Sequence, residues 1–218
     1  AALERKYRTQ YGMEIEGARE LTVTCGATEA MAAVLLAVID PGDEVIVTEP
    51  FYENYGPDAV LCGARPVFLP LDAPDFRLDE DRLRARVGPR TRAIIVNTPN
   101  NPTGRVLDAD ELAAIARVCR EHDLIAITDE IYEHIWYEGR HVPLATLEGM
   151  RERTITVSGA SKTFSVTGWR IGWVVAPPDL TDAIRKVHDF LTVGAPAPLQ
   201  EGVAAAMETL GPEFYAGL

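Results

Sequence analysis

Thr154-Ile155-Thr156-Val157, then Ser161-Lys162-Thr163-Phe164, then Gly168-Trp169-Arg170-Ile171-Gly172 is the most informative stretch of this chain. An apolar, β-branched run ends, a lysine follows among small and hydroxyl residues, and an arginine comes eight positions later. A lysine leaving a strand end into a small-residue pocket sheds hydration, which lowers its proton affinity and makes the amine a usable nucleophile. An arginine is a fixed, planar cation suited to phosphate. An amine beside a phosphate site fits a Schiff base with pyridoxal 5'-phosphate (PLP). Most lysines are solvated surface residues, however, so the rest of the chain has to carry the argument.

Working outward, the same strand-and-amphipathic-segment pattern repeats along the chain. Strands are predicted over 21–24, 44–48, 66–69, 93–97, 124–128, 154–158 and 171–176, and helices over 28–39, 54–62, 79–87, 108–122, 180–191 and 199–210. Residues 1–11 also have the pattern of a helix, whereas 212–218 show no closing element. Alternation of helices with nearly continuous apolar strands predicts an α/β fold: a three-layer αβα sandwich around a mostly parallel, mainly seven-stranded sheet. Asp40-Pro41-Gly42-Asp43 stops one helix and turns into the next strand. Asp108 with Glu111 has the spacing of a capping box. With no repeat, linker or low-complexity tract, 218 residues fit one domain.

Composition narrows the partners. A net charge of −12, from 21 basic and 33 acidic residues, argues against a general binder of nucleic acid or anionic membrane, both of which need a basic face. No apolar run is long enough to span a bilayer. Cys25, Cys62 and Cys119 are odd in number and widely spaced, as small buried hydrophobes of a reducing compartment would be, so a cytoplasmic location is expected. The four histidines form no ligand pattern, and no metal site is expected.

Four further segments carry candidate chemistry, each at the carboxyl end of a predicted strand, where ligands of open α/β sheets bind. In Thr24-Cys25-Gly26-Ala27-Thr28, the glycine admits a ligand close to the backbone, and the N–H groups of Ala27 and Thr28 would face an anion at a helix N-terminus. A strand-to-helix turn capped by Thr28 accounts for that stretch equally well. In Glu49-Pro50-Phe51-Tyr52-Glu53-Asn54-Tyr55, an aromatic can lie flat on a planar ring, or all three can simply pack. Asn97-Thr98-Pro99-Asn100-Asn101-Pro102-Thr103-Gly104 is a proline-stiffened polar loop that displays Asn101, whose amide can donate to a phenolate oxygen. Asp129, in Thr128-Asp129-Glu130-Ile131-Tyr132, ends an apolar run and needs a partner for its carboxylate. A protonated pyridine nitrogen would serve, as would the N-terminus of a helix starting at Ile131. Tyr132 can face the same ligand, while Glu130 and Glu133 are expected on solvated faces.

Asn101-Pro102-Thr103-Gly104, Asp129-Glu130-Ile131-Tyr132 and Ser161-Lys162 through Arg170, in that order, resemble the class I/II PLP-dependent aminotransferases of fold type I, in the aspartate and kynurenine aminotransferase group. The resemblance covers nearly the whole chain. It implies that Lys162 forms the Schiff base with PLP and is the catalytic residue. By it, Asp129 pairs with the pyridine nitrogen, Tyr132 and Asn101 contact the ring hydroxyl, and Tyr52 stacks on the ring. By the same resemblance, Gly26, Ala27, Thr28, Ser161 and Arg170 look like the phosphate cradle. Many relatives have a phosphate-binding serine three residues before the lysine. Gly159 stands there in this chain, with Ser158 or Ser161 as the candidate substitutes.

The activity implied is transfer of an amino group from an L-amino acid to a 2-oxo acid, 2-oxoglutarate foremost. A PLP-dependent carbon–sulfur β-lyase of the same fold and a non-catalytic, aminotransferase-like sensor domain are the alternatives. A Rossmann-type nucleotide binder is excluded, because no GxGxxG follows the first strand and no P-loop occurs. The resemblance also implies a homodimer with shared active sites. It makes residues 1–218 the PLP-binding large domain, an expected fragment without the N-terminal arm and the C-terminal small domain, and poor in turnover by itself.

Overall fold

The computed structural model describes all residues from Ala1 to Leu218. The elements run α1 (Ala2–Tyr11), α2 (Gly17–Glu20), β1 (Leu21–Thr24), α3 (Gly26–Val38), β2 (Glu44–Glu49), α4 (Tyr55–Leu61), β3 (Arg65–Pro70), α5 (Glu80–Arg84), β4 (Thr91–Asn97), α6 (Ala109–Glu121), β5 (Ile125–Asp129), β6 (Thr154–Gly159), α7 (Ala160–Thr163), β7 (Gly172–Val175), α8 (Pro178–Thr192), α9 (Ala197–Thr209) and α10 (Pro212–Ala216). The seven strands form one sheet in the order β1-β7-β6-β5-β4-β2-β3. Pairing is parallel from β6 through β3, and β7 runs antiparallel to both neighbours, β1 and β6.

The period of two along the strands sorts side chains onto two cores. Val45, Val47, Ile95, Ile125 and Ile127 join Ala30, Val34 and Leu35 of α3 and Ile184 of α8 on one face. Their neighbours Ile46, Ile94, Val96 and Ala126 join Leu83 of α5 and Leu112, Ile115 and Cys119 of α6 on the other. Each fully buried Leu or Ile contributes on the order of 1.5–3 kcal/mol, so the two faces together fix strand register. A third cluster, around Trp173 and Tyr7, packs α1 and α9 against the β7 end of the sheet, with Trp173 Nε1 donating to the Tyr7 hydroxyl at 3.1 Å.

Asp108 caps α6 as expected. Its side chain accepts from the Glu111 amide, and the Glu111 side chain accepts from the Asp108 amide. One expectation is corrected, and one alternative for Asp129 falls away. Residues 212–218 do hold an element, the short α10, with Pro212 where a missing N–H costs nothing. No helix starts at Ile131, because the chain after β5 goes through turns instead.

No helix is long and apolar enough to cross a membrane.

Candidate functional site

Strand direction gathers the site. β1, β2, β4, β5 and β6 all end on one side of the sheet, and the antiparallel β7 begins on that side, which brings Arg170 back to where Lys162 leaves. A cavity opens there. Ala27, Thr28, Tyr52, Asn101, Asp129, Tyr132, Ser161, Lys162 and Arg170 all line it, joined by Tyr55 and Asn97. Of the expected site residues, only Gly26 is not on the wall.

Gly26 acts by being bare. It has a φ of +84°, and a Cβ there would come within 2.7 Å of Arg170 Cζ. Gly172 is hemmed in by backbone instead: a Cβ would sit 2.5 Å from the Ala27 nitrogen. Gly159, paired across the strands with Gly172, leaves only 3.1 Å between a Cβ and the Ile171 carbonyl oxygen. These three positions let the N-terminus of α3 drop onto the ends of β6 and β7. The first N–H groups of α3, which have no intrahelical acceptor, therefore face the cavity mouth beside Arg170. Cys25, not Thr28, holds the cap position, so Thr28 belongs to the first turn of the helix.

Arg170 has no carboxylate partner. Its guanidinium donates to the Thr167 carbonyl at 3.1 Å and to Thr28 Oγ1 at 3.4 Å, and its backbone is left-handed, with φ +53°. Ser161 is buried on the cavity wall. Ser158 is not available as a substitute for the serine that many relatives carry. It is fully buried, and its hydroxyl donates to Glu133 Oε1 at 2.9 Å.

Asp129 lies at the other end of the cavity, buried at the tip of β5. The Tyr55 hydroxyl donates to its Oδ2 at 2.7 Å, and the Ile131 amide donates to its Oδ1 at 3.2 Å. Burial pushes the Asp129 carboxyl above the usual carboxylate range, against the pull of those two hydrogen bonds. Burial, reinforced by the Asp129 charge, also pushes the Tyr55 hydroxyl well up, so it is a standing donor. Asn97 braces the loop after β4. Its amide donates to the Asp129 and Pro99 carbonyls at 3.0 and 3.2 Å, and its Oδ1 accepts from the Asn101 N–H at 2.8 Å. The side chains of Asn101 and Lys162 have no partner within the protein. Lys162 Nζ lies 5.7 Å from the centre of the Tyr132 ring. Lys162 is only half-buried, so the pocket dehydrates it less than its small-residue surroundings imply.

Glu130 and Glu133 are a correction. Both are buried, not solvated. Glu130 accepts from Thr128 at 2.9 Å and faces His141 Nε2 at 3.0 Å. Glu133 accepts from Lys6 at 2.5 Å, from Ser158 and from the Tyr11 hydroxyl. Burial would raise Glu133, but the Lys6 ammonium overrides it and holds the carboxyl at about 2. Local sequence gives no sign of this network, because Lys6 lies 127 residues away. Tyr55 did leave a signal: an aromatic three residues after Tyr52, set on the same side by the turn into α4.

The geometry defines an α/β protein with a lysine-centred cavity that has a cationic end, at Arg170, and a buried carboxylate end, at Asp129. The chain belongs to the aminotransferase class I and II family, whose model matches residues 1–211. It is 47% identical over 211 residues to the probable N-succinyldiaminopimelate aminotransferase DapC of Mycobacterium tuberculosis, covering 95% of this chain and 53% of that protein. It is 39% identical over 209 residues to kynurenine–oxoglutarate transaminase 1 of Homo sapiens, covering 90% and 50%. The solved N-succinyldiaminopimelate aminotransferase of Mycobacterium tuberculosis superposes with a TM-score of 0.96 at 45% identity, over 99% of this chain and 57% of that one. The chain thus spans about half the length of the relatives it matches.

Proposed function

We propose that this protein is a PLP-dependent aminotransferase that moves an amino group from an L-amino acid to a 2-oxo acid, with Lys162 as its catalytic residue. The observation that carries this reading is the convergence, in one cavity, of an unpaired lysine, an unpaired arginine at a helix N-terminus and a buried carboxylate. The names of the relatives, transaminases for N-succinyldiaminopimelate and for kynurenine with oxoglutarate, support an amino acid donor and an oxo acid acceptor.

The residues fit the cofactor. Arg170, the amides of Ala27 and Thr28 and the Ser161 hydroxyl would hold its phosphate, which needs cations and donors. Asp129 would keep a proton on its pyridine nitrogen, a partner that relieves the cost of burying that carboxylate. Asn101 and Tyr132 would donate to its ring oxygen, and Tyr52 would cover its ring. When bound, PLP supplies an electrophilic carbon for amines and a ring that takes up electrons. Lys162 Nζ, free of any protein partner, would then take the proton from the substrate Cα and redeliver it.

In this reading residues 1–218 form the cofactor-binding large domain and the protein works as a homodimer, both supported by family membership. Three free cysteines support a cytoplasmic setting.

The test is the visible spectrum of the full-length polypeptide mixed with PLP, before and after a panel of amino acids, with Lys162→Ala as control. The expected result is an absorption band that needs Lys162 and that an amino donor discharges. An unchanged band in Lys162→Ala, or none in the wild type, refutes the proposal.

A further inference from the structure

The loop after β4 has few backbone donors with which to hold itself in place. Residues 98–103 include Pro99 and Pro102, which have no N–H, so four amides remain. Two of them stay inside the loop. The Asn100 amide donates to the Arg105 carbonyl at 2.8 Å, and the Thr103 amide donates to Asn100 Oδ1 at 3.2 Å. The other two point back to the sheet. The Thr98 amide donates to the Asp129 carbonyl at 3.3 Å, and the Asn101 amide donates to Asn97 Oδ1 at 2.8 Å. Backbone groups that leave a strand ladder need new partners, and for Asn101 a side chain supplies it.

That side chain has no donor left for a ligand. Asn97 is buried and lines the Lys162 cavity. One hydrogen of its Nδ2 goes to the Asp129 carbonyl at 3.0 Å and the other to the Pro99 carbonyl at 3.2 Å. The amide can sit only this way round, because a flip would turn its oxygen onto two carbonyls and its NH2 onto the Asn101 N–H. Asn97 thus ties together the two residues assigned above to the nitrogen and the oxygen of the cofactor ring.

The two ends of this tie differ in firmness. Asp129 ends β5, in register with Asn97 on one side and Val157 on the other, and Tyr55 and the Ile131 amide hold its carboxylate. Asn101 sits on a loop, and its side chain has no partner within the protein. The tie therefore passes the position of a strand on to a loop residue.

We propose that Asn97 is a positioning residue for the PLP ring: by clamping the Asn101 backbone to the Asp129 backbone, it sets the distance between the donor to the ring oxygen and the carboxylate at the ring nitrogen. This inference rests on the PLP reading above. A group that meets a ligand has to be held by neighbours whose own geometry is locked, and Asn97 is locked at all three of its hydrogen bonds.

The test is a double-mutant cycle on the full-length protein: wild type, Asn97→Ala, Asn101→Ala and the double variant. PLP affinity is read by fluorescence titration, the pH at which the Lys162-dependent band changes wavelength by absorption, and folding without PLP by thermal unfolding. Asn101→Ala removes one hydrogen bond to a charged oxygen and is expected to weaken PLP binding about tenfold or more. Asn97→Ala is expected to match it and to move the pH of the band in the same direction, and the double variant to be no weaker than either single one. A loss of stability alone would leave that pH where it is. Fold-changes that multiply in the double variant, or an Asn97→Ala protein with the affinity and band of the wild type, would overturn this inference and leave the PLP reading standing. A wild type without the band would overturn both. Should Asn97→Ala not fold, Asn97→Ser, which keeps a polar group at the site, takes its place in the cycle with the same outcomes.

Discussion

Tyr55→Phe tests the electrostatics of the buried carboxylate. The substitution removes one oxygen and keeps the ring, which is 2% exposed and packed in the core on the α3 face of the sheet. What is lost is the 2.7 Å hydrogen bond to Asp129, which leaves that carboxylate only the 3.2 Å bond from the Ile131 amide. A hydrogen bond to a charged group contributes about 1.5–3 kcal/mol, and one to a neutral group about 0.5–1.5 kcal/mol. Asp129 already has a raised pKa from burial, so the folded protein holds that proton more tightly than the unfolded chain does. Its contribution to stability is therefore greatest in acid and is lost as pH rises through the folded pKa. Removing the donor that favours the charged form raises that pKa further. The cost of Tyr55→Phe should thus be about 1.5–3 kcal/mol at pH 8 and about 0.5–1.5 kcal/mol near pH 4. For a chain of this size that is a Tm decrease of roughly 3–12 °C at pH 8 and about half that in acid. Thermal unfolding of both proteins without PLP at the two pH values measures it. An equal loss at both values, or none at pH 8, would refute the argument that Tyr55 supports a charged Asp129.

Three further predictions follow from other residues. Gly172→Ala places a Cβ 2.5 Å from the Ala27 nitrogen, a backbone atom that cannot swing aside, so it should cost about 1–3 kcal/mol in urea unfolding and sharply reduce PLP retention on dialysis. Lys6→Met strands the buried Glu133 carboxylate and should cost about 3–5 kcal/mol at pH 7, with part of the loss restored by adding Glu133→Gln. Because Glu133 is held at about 2, its stabilising contribution in the wild type is present above the ordinary glutamate pKa and is lost as pH falls towards 2; an acid titration of Lys6→Met should lack that component. Arg170→Gln should weaken PLP binding by about 10- to 150-fold, read by fluorescence titration, with little change in Tm because Arg170 makes no ion pair in the protein.

The central strands were legible because each is a short apolar run, buried from both sides, that needs no distant information to stand out. Val45-Ile46-Val47 and Ile94-Ile95-Val96 are examples. The site residues were legible for a related reason: each sits next to a strand end, and strand direction does the gathering. What escaped were contacts made across the fold. Glu130 and Glu133 look like surface acids until α1 brings Lys6 and Tyr11 onto Glu133 and the turns bring His141 onto Glu130. Ser158 looked free until Glu133 claimed its hydroxyl. The alternative of a helix starting at Ile131 lost to turns that use the Asp129 carboxylate as a local acceptor. The glycine packing of Gly26, Gly159 and Gly172 joins positions up to 146 apart and has no signature in any one of them.

Lys162 and Arg170 sit on a single short connection between neighbouring strands, whereas Tyr52, Asn101 and Asp129 arrive on three separate strands. The molecule therefore measures its ligand with two rulers. One is a stretch of eight residues, which an inserted or deleted amino acid would miscalibrate at once. The other is the lateral spacing of the sheet, about 4.8 Å per strand, which no single insertion can alter. Beyond the first turns of α3 and α4, which line the cavity, the crossover helices belong to neither ruler. Descendants of this sequence can lengthen, shorten or decorate those helices freely while the distances that matter stay where they are.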